Sequence, residues 1–432
     1  METVLKNVKG TADYLPQEQA LRNRIKRVLE DVFQIYGARP LETPILNYFD
    51  LMASKYGGGA EILKEVYQLT DQGERRLALR YDLTIPFAKV IGMNPEMRFP
   101  LKRYEMGKVF RDGPVKKGRF REFEQCDVDV VGIQSMAAEA DLMMMALDVF
   151  NELDLDVTIQ FNNRKLLSGW LESLNVNEEQ TSDVILTLDK LEKIGADGVK
   201  EELMEKQIEA ETVKTLETFI EDAAEQNINS FRRIASNELM KEGLAEIEEL
   251  TAYLEALGIA EKAVFNPFLA RGLDIYTGTV YEIFLSDGAI TSSIGSGGRY
   301  DAIIGNFLQN GKVYPTVGIS FGLDVIYTAL KDKKKDAPVA LIDVYIIPMD
   351  TTTECLKIAR RLRQKGIKTE VDLTGRRLKK SLDYANKENI PFVLLFGENE
   401  RTENKVMVKQ MKTGIQEKVP LDQLENYFVN LI

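Results

Sequence analysis

The stretch "GRFREFEQCDVDVVG", Gly118 to Gly132, reads as a β-strand whose two faces differ in chemistry. In period two, one face carries Arg119, Arg121, Phe123, Gln125, Asp127 and Asp129. The other carries Phe120, Glu122, Glu124, Cys126, Val128 and Val130. The first set suits the floor of a polar ligand site. Arginine forks hold phosphate, Phe123 offers a stacking plane, and the carboxylates suit a cationic or hydrogen-bond-donating group. An edge strand with cross-strand ion pairs accounts for the same letters. Immediately upstream, "LKRYEMGKVFR" and the turn-rich "DGPVKKG" make the strand one half of a hairpin. "YQLTDQGERRLALR", Tyr67 to Arg80, is a second hairpin about a glycine-containing turn. An antiparallel sheet is the expected centre of this half of the chain.

Before these hairpins, "EQALRNRIKRVLEDVFQIYG" has helical period, and Pro40 and Pro44 in "RPLETPIL" stop a helix and suit an extended edge. After them, Ala137 to Leu153 is helical, and its methionine run reads as core packing. Residues 171 to 260 are almost wholly helical and hold 22 acidic against 8 basic side chains, a helical insertion with a solvated acidic face. Strand and turn chemistry return in "RGLDIYTGTVYEIFL" and "SIGSGGRYDAIIG", and "TVGISFGLDVIYTALK" begins as a strand and ends as a helix. The charged "KDKKKDAP" closes on Pro338 and reads as an interdomain linker. Beyond it, apolar strands alternate with helices, as in a small α/β domain with a parallel or mixed sheet. The predicted organisation is therefore α+β: residues 1–330, with the insertion at about 171–260, followed by an α/β domain over 337–432.

The chain has 432 residues, two cysteines, a net charge of −12 and no histidine. Without imidazole, Ser-His-Asp and Cys-His triads, HExxH metal sites and histidine general bases are excluded. Cys126 and Cys355 stand far apart and without a CxxC partner, so neither a disulfide framework nor a thiolate zinc site is expected, and no metal ligand is assigned. No apolar run spans a bilayer and no signal-peptide core precedes the first helix, which predicts a cytoplasmic chain with no membrane partner. The acidic excess is local: residues 331–432 hold 20 basic and 15 acidic side chains, so a polyanionic partner is permitted there.

Three further segments hold candidate site residues. Asp82 stands beside Thr84 in "LRYDLT", where a capping role is the commoner fate. Arg271 in "RGLD" and Arg299 in "GSGGRYD" lie beside glycines, where backbone can approach a phosphate. Neither GxxxxGK[ST] nor GxGxxG between strand and helix occurs, so a bound nucleotide would lie on the antiparallel sheet.

Taken in order, "LRYDLT", "KVFRDGPVKKGRFREFEQCDVDVVG", "LARGLDIYTGTVYE" and "GSGGRYD" resemble the histidyl-tRNA synthetases, class II aminoacyl-tRNA synthetases, over nearly the whole chain. The resemblance implies a six-stranded antiparallel catalytic sheet and a C-terminal anticodon-binding domain. It implies a homodimer built around the region of Pro44. The substrates implied are L-histidine, ATP with Mg2+, and tRNA(His). By position, Arg111 would hold the ATP α-phosphate and the substrate carboxylate region, and Arg271 would touch the α-phosphate; these are the implied catalytic residues. Arg119 and Arg121 would contact ATP phosphates with Arg299 as a further candidate, and Phe123 would stack on adenine. Asp82, Thr84 and Gln125 would meet the histidine α-amino group, and Asp129 and Tyr276 the imidazole. The loop from Asp112 to Gly118 would face the acceptor end of the tRNA. Ile275 stands where the family pattern has a second tyrosine, and Val325 where class II motif 3 ends in an arginine. Two other readings accommodate those departures. One is a catalytically impaired paralogue, and the other a histidine-sensing regulator resembling the synthetase-like subunit of ATP phosphoribosyltransferase, a class that lacks the C-terminal α/β domain.

Overall fold

The computed structural model describes residues 5–53, 63–115, 118, 120–271, 275–333 and 340–431. They divide into two compact units, one within Met1–Ala12 and Arg24–Lys333 and the other within Asp13–Asn23 and Lys334–Ile432. Most of the linker segment, 334–338, lies outside the described residues, as does the expected boundary at 337.

The larger unit is organised by an eight-stranded sheet. Its strands are β1 (Arg39–Pro40), β5 (Leu101–Phe110), β6 (Glu122–Val131), β7 (Val157–Asn163), β8 (Ala263–Phe265), β9 (Thr279–Leu285), β10 (Gly295–Arg299) and β11 (Thr316–Gly322). Their spatial order is β1-β5-β6-β11-β10-β9-β7-β8. Every pairing from β5 to β7 is antiparallel, so six central strands form the antiparallel sheet that the resemblance implies. The short edge strands β1 and β8 join it in parallel. A separate three-stranded sheet of β2 (Leu46–Tyr48), β3 (Gln68–Thr70) and β4 (Arg76–Leu79) has the order β2-β4-β3 and contains the hairpin expected from Tyr67 to Arg80.

The alternation along β6 explains the layering. Cys126, Val128 and Val130 are buried on the apolar side, and on the neighbouring strand Phe321 packs between Phe33 and Phe150 at ring separations of 5.4 and 5.8 Å. The methionine-rich helix Ala137–Glu152 supplies Phe150 and buries Met143 and Met145 in this layer. Gln125, Asp127 and Asp129 point to the other side, opposite Gly322, Ser320 and Gly318 of β11. Gly318 leaves room for the carboxylate beside it: a Cβ there would sit 2.0 Å from Asp129 Oδ1. The "GSGGR" segment, expected as a phosphate-approaching turn, is instead the central strand β10, where a Cβ on Gly297 would meet the Gly318 carbonyl at 2.0 Å. Here the glycines serve strand-to-strand approach.

The insertion is helical from Arg164–Ser173 to Glu238–Ala256. Its core gathers Trp170, Phe219 and Phe231, with centroids 4.6 to 5.5 Å apart. Asparagines begin several of these helices: Asn163, Asn177, Asn227 and Asn237 each accept backbone N–H bonds in the first turn.

The smaller unit carries β12 (Val344–Pro348), β13 (Thr369–Val371), β14 (Phe392–Phe396), β15 (Lys405–Gln410) and β16 (Gln416–Pro420), in the order β13-β12-β14-β15-β16. β12 to β14 are parallel and β14 to β16 antiparallel, giving a mixed sheet. Val344 and Ile346 face one core with Cys355, Leu362 and Phe428, while Tyr345 and Ile347 face another with Ala385 and Ile390. Both faces are thus covered, which is why β12 reads as continuously apolar.

Candidate active site

A cavity of about 600 Å³ opens over the polar face of β6. Asp82, Thr84, Arg111, Phe123, Gln125, Arg271 and Tyr276 all line it, so seven residues singled out from scattered segments converge. Their local structure explains how each is held. Asp82 is 7% exposed, and its Oδ1 accepts from the backbone N–H groups of Thr84 (3.1 Å) and Ile85 (3.0 Å) as the helix Thr84–Met93 begins. The capping role expected of an Asp near Thr therefore coexists with a place in the cavity wall.

Arg111 leaves the end of the β5–β6 hairpin, where its N–H donates to the Arg121 carbonyl at 2.9 Å. Its guanidinium lies 4.2 Å from the ring centroid of Tyr81 and 5.1 Å from that of Phe123, and its Nε donates to the Tyr81 carbonyl at 3.2 Å. Aromatic faces hold a cation without neutralising it, so the charge stays available to an anion. Arg271 has φ of +51°, an uncommon conformation for a side-chain-bearing residue, and its Nη1 donates to Glu282 Oε1 at 2.6 Å. Glu282 on β9 and the Tyr276 ring, 5.8 Å from the guanidinium, fix its direction.

Three expected ligand contacts are placed elsewhere. Arg299 is 2% exposed, and its Nε and Nη2 each donate at 2.7 Å to the carboxylate of Glu139, itself 0% exposed; Nη1 donates to the Ile133 carbonyl at 2.9 Å. A guanidinium so saturated behind the sheet is a structural ion pair, and Arg299, expected at ATP, is not among the residues that line the cavity. Asp129 does not line the cavity: Arg103 Nη2 lies 2.6 Å from its carboxylate and the Tyr300 hydroxyl donates to it. Arg121 turns back on the hairpin loop, donating to the Gly113 carbonyl at 3.2 Å and pairing with Asp112 at 3.2 Å, and is absent from the cavity wall. Arg119 lies outside the described residues.

Other residues in the wall had been given no ligand role, although Asp127 belongs to the polar face read from the sequence. Asp127 stands two positions before Asp129 on the same strand face, and its buried carboxyl is pushed up to about 7, chiefly by desolvation and then by the charge of Asp129. Its period-two place was the available signal. Ser320 meets Gln125 across β6 and β11, with Gln125 Nε2 donating to Ser320 Oγ at 2.9 Å. Glu124 and Asp324 also line the cavity, although the strand period puts Glu124 on the opposite face. Ile275 and Val325 both reach the cavity, so the two departures from the family pattern fall at the site. Among the described residues, no group of three or more His, Cys, Asp or Glu side chains forms a metal cluster.

Comparison with known proteins bears on this geometry. Residues 10–326 match the family model for histidyl-tRNA synthetase, and residues 343–431 match that for an anticodon binding domain. The chain belongs to the histidyl-tRNA synthetase family. Among its relatives, histidine–tRNA ligase 1 of Bacillus cereus (strain ATCC 10987 / NRS 248) is 60% identical, with 99% of this chain and 98% of that protein covered. Histidine–tRNA ligase 2 of Shouchella clausii (strain KSM-K16) is 53% identical, covering 96% and 98%. In structure, histidyl-tRNA synthetase from Nostoc sp. PCC 7120 superposes with a TM-score of 0.87 at 30% identity, over 100% of both chains. Membership of the histidyl-tRNA synthetase family accounts for the order of the segments that converge on the cavity, and for the helical insertion between β7 and β8.

Proposed function

We propose that this chain is a histidine–tRNA ligase that joins histidine to ATP in the cavity over β6 and passes the histidyl group to the 3′ end of tRNA(His). The observation that carries this reading is the convergence of two held cations, Arg111 between aromatic rings and Arg271 aimed by its ion pair with Glu282, with the acceptors Asp82, Gln125 and Asp127 in one cavity. The cations suit the phosphate end of the reaction, and the acceptors suit the ammonium and ring of histidine.

In the first step the histidine carboxylate attacks the α-phosphorus of ATP, a phosphorus–oxygen bond forms, and pyrophosphate leaves. Negative charge gathers on the α-phosphate oxygens, where preorganised cations stabilise it most effectively. Arg111, clamped by Tyr81 and Phe123, and Arg271, aimed by Glu282, take that role. A carboxylate nucleophile needs no general base. In the second step the terminal ribose hydroxyl of tRNA attacks the carbonyl carbon, AMP leaves, and a phosphate oxygen of the adenylate takes the proton. Both steps run without imidazole, in keeping with a chain that has no histidine.

Asp82 and Thr84 bind the α-amino group, Phe123 also stacks on the nucleotide base, and Mg2+ enters with the ATP phosphates. Arg119 and Arg121 contact the outer phosphates from the hairpin, Arg121 by exchanging Asp112 for phosphate. The loop from Asp112 to Gly118, of which residues 116 and 117 lie outside the described residues, is assigned to the tRNA acceptor end in this reading, and the domain over 337–432 to the anticodon. A homodimer is supported by the exposed apolar group around Pro44: Ile45, Leu46, Tyr48 and Leu69 are all at least 41% exposed on or beside the three-stranded sheet. No helix among the described residues is long and apolar enough to cross a membrane, and a cytoplasmic location is part of the proposal. Charging of a tRNA(His) transcript with labelled histidine tests the reading. Histidine-dependent, ATP-dependent charging is expected; histidine binding without charging would transfer the chain to the sensor class.

A further inference from the structure

Arg271 lines the cavity from a backbone conformation that has to be held. Its φ of +51° lies in the left-handed region, which residues other than glycine seldom occupy and keep only where the surroundings determine it. The ion pair with Glu282, at 2.6 Å, fixes the far end of the side chain. The near end is fixed by a residue of the helical insertion, 82 positions earlier in the chain.

That residue is Asp189. It directly follows the helix Glu178–Leu188, whose Val184, Ile185 and Leu188 are buried, and its own N–H donates to the Ile185 carbonyl at 3.0 Å. From this fixed place its Oδ1 accepts the backbone N–H groups of Arg271, at 3.2 Å, and of Ala270, at 3.4 Å. The segment just before is tied to the sheet instead. Asn162 of β7 donates through Nδ2 to the carbonyls of Pro267 and Leu269, each at 2.9 Å, and the Asn266 N–H donates to the Phe161 carbonyl at 2.9 Å. The sheet thus holds the chain as far as Leu269, and the insertion takes over at the two residues where it turns into the left-handed conformation.

Neither Asp189 nor Glu282 lines the cavity over β6; both line the space adjoining it, which shares Gly118, Ser293 and Val325 with that cavity. Arg271 is therefore gripped from outside the cavity, by its backbone and by its guanidinium, and presented into it.

We propose that Asp189 is a positioning residue for adenylate formation: its carboxylate holds the backbone of Arg271 in the conformation that presents the guanidinium to the α-phosphate, which makes the helical insertion part of the machinery of the first step. The proposal rests on the reading of the cavity as the place where histidine is joined to ATP. Without the acceptor, Arg271 relaxes toward commoner backbone regions, and the rate falls with the fraction of molecules that keep the guanidinium in place. Asp82 and Thr84 do not depend on Asp189, so the loss falls on kcat rather than on the KM for histidine.

The test is ATP–pyrophosphate exchange by the full chain, with enzyme in excess for slow variants and rates referred to the folded fraction measured by circular dichroism. Asp189→Ala should lower kcat about tenfold or more and leave the KM for histidine within about threefold. Asp189→Asn, which keeps an acceptor oxygen, should retain kcat within about threefold of wild type. In an Arg271→Ala background, Asp189→Ala should cost less than about twofold, because no guanidinium remains to be positioned. Asp189→Leu, which keeps bulk and drops the acceptor, replaces the alanine variant if that one does not fold. A wild-type kcat in Asp189→Ala overturns the proposal, and so does an equal loss with and without the arginine or an equal loss in Asp189→Asn. If the wild type itself shows no exchange, or Arg271→Ala exchanges at the wild-type rate, the reading of the reaction fails and this proposal with it; an active wild type with an unaffected Asp189→Ala removes this proposal alone.

Discussion

Replacing Arg299 by alanine should weaken the fold and leave ATP binding alone. The side chain makes two 2.7 Å bonds to Glu139 and one of 2.9 Å to the Ile133 carbonyl, and neither member of the pair reaches solvent. Removing one partner strands a buried charge, which costs about 3–5 kcal/mol. For a unit of this size, at about 2 °C per kcal/mol, the unfolding midpoint should fall by about 6–10 °C. Glu139→Gln should fall by a comparable amount, because it strands the arginine instead. Replacing both by apolar residues should recover part of the loss, since a buried pair is little better than a packed hydrophobic substitute. Differential scanning calorimetry measures the midpoint, and exchange kinetics below the transition give the KM for ATP, expected within twofold of wild type. A midpoint within 2 °C of wild type, together with a tenfold higher KM for ATP, would refute this reasoning and return Arg299 to the nucleotide.

Val325 lines the cavity where class II motif 3 ends in an arginine, and Arg299 cannot substitute for it. Val325→Arg should lower the KM for ATP about tenfold or more, on the scale of one charge-assisted hydrogen bond of about 1.5–3 kcal/mol, read from exchange at saturating histidine. A pH series should show the burden of Asp127: its folded pKa of about 7 lies above the unfolded value, so the native state holds the extra proton, and stability falls as pH rises from about 4 to about 7. The upper limit is about 4 kcal/mol at about 1.4 kcal/mol per pKa unit. Asp127→Asn should flatten that slope in urea melts, and an unchanged slope would remove Asp127 as its source. Leu46→Glu with Tyr48→Glu should convert a dimer to monomers in analytical ultracentrifugation, since both side chains are exposed on the three-stranded sheet. A dimer that persists would place the interface elsewhere.

The antiparallel sheet was legible because β6 separates into two chemically different faces in period two and is joined to its hairpin partner by a turn-rich connection, and the structure pairs Leu101–Phe110 with Glu122–Val131 in full register. β7 and β8 were not legible. Val157–Asn163 and Ala263–Phe265 are short strands that flank the helical insertion, and their pairing is settled by tertiary contacts about a hundred residues apart. The site divides the same way. Period two put Gln125, Asp127 and Asp129 on one face, but it could not say how far along the strand the cavity extends. Arg103 and Tyr300, from β5 and the loop after β10, claim Asp129. Arg299 shows the limit of reading glycine-rich segments: "GSGGR" has the letters of a phosphate-approaching turn, yet its glycines admit neighbouring backbone and its arginine meets a glutamate 160 residues earlier. Asp82 was legible twice over, as a cap and as a wall residue, because a carboxylate has two oxygens to spend.

Histidine-dependent exchange of labelled pyrophosphate into ATP, with alanine and lysine as controls, tests the central claim most directly. Exchange driven by histidine alone is predicted, showing that Arg111 and Arg271 suffice for adenylate formation with Val325 in the motif 3 position. Histidine binding with no exchange would contradict the account.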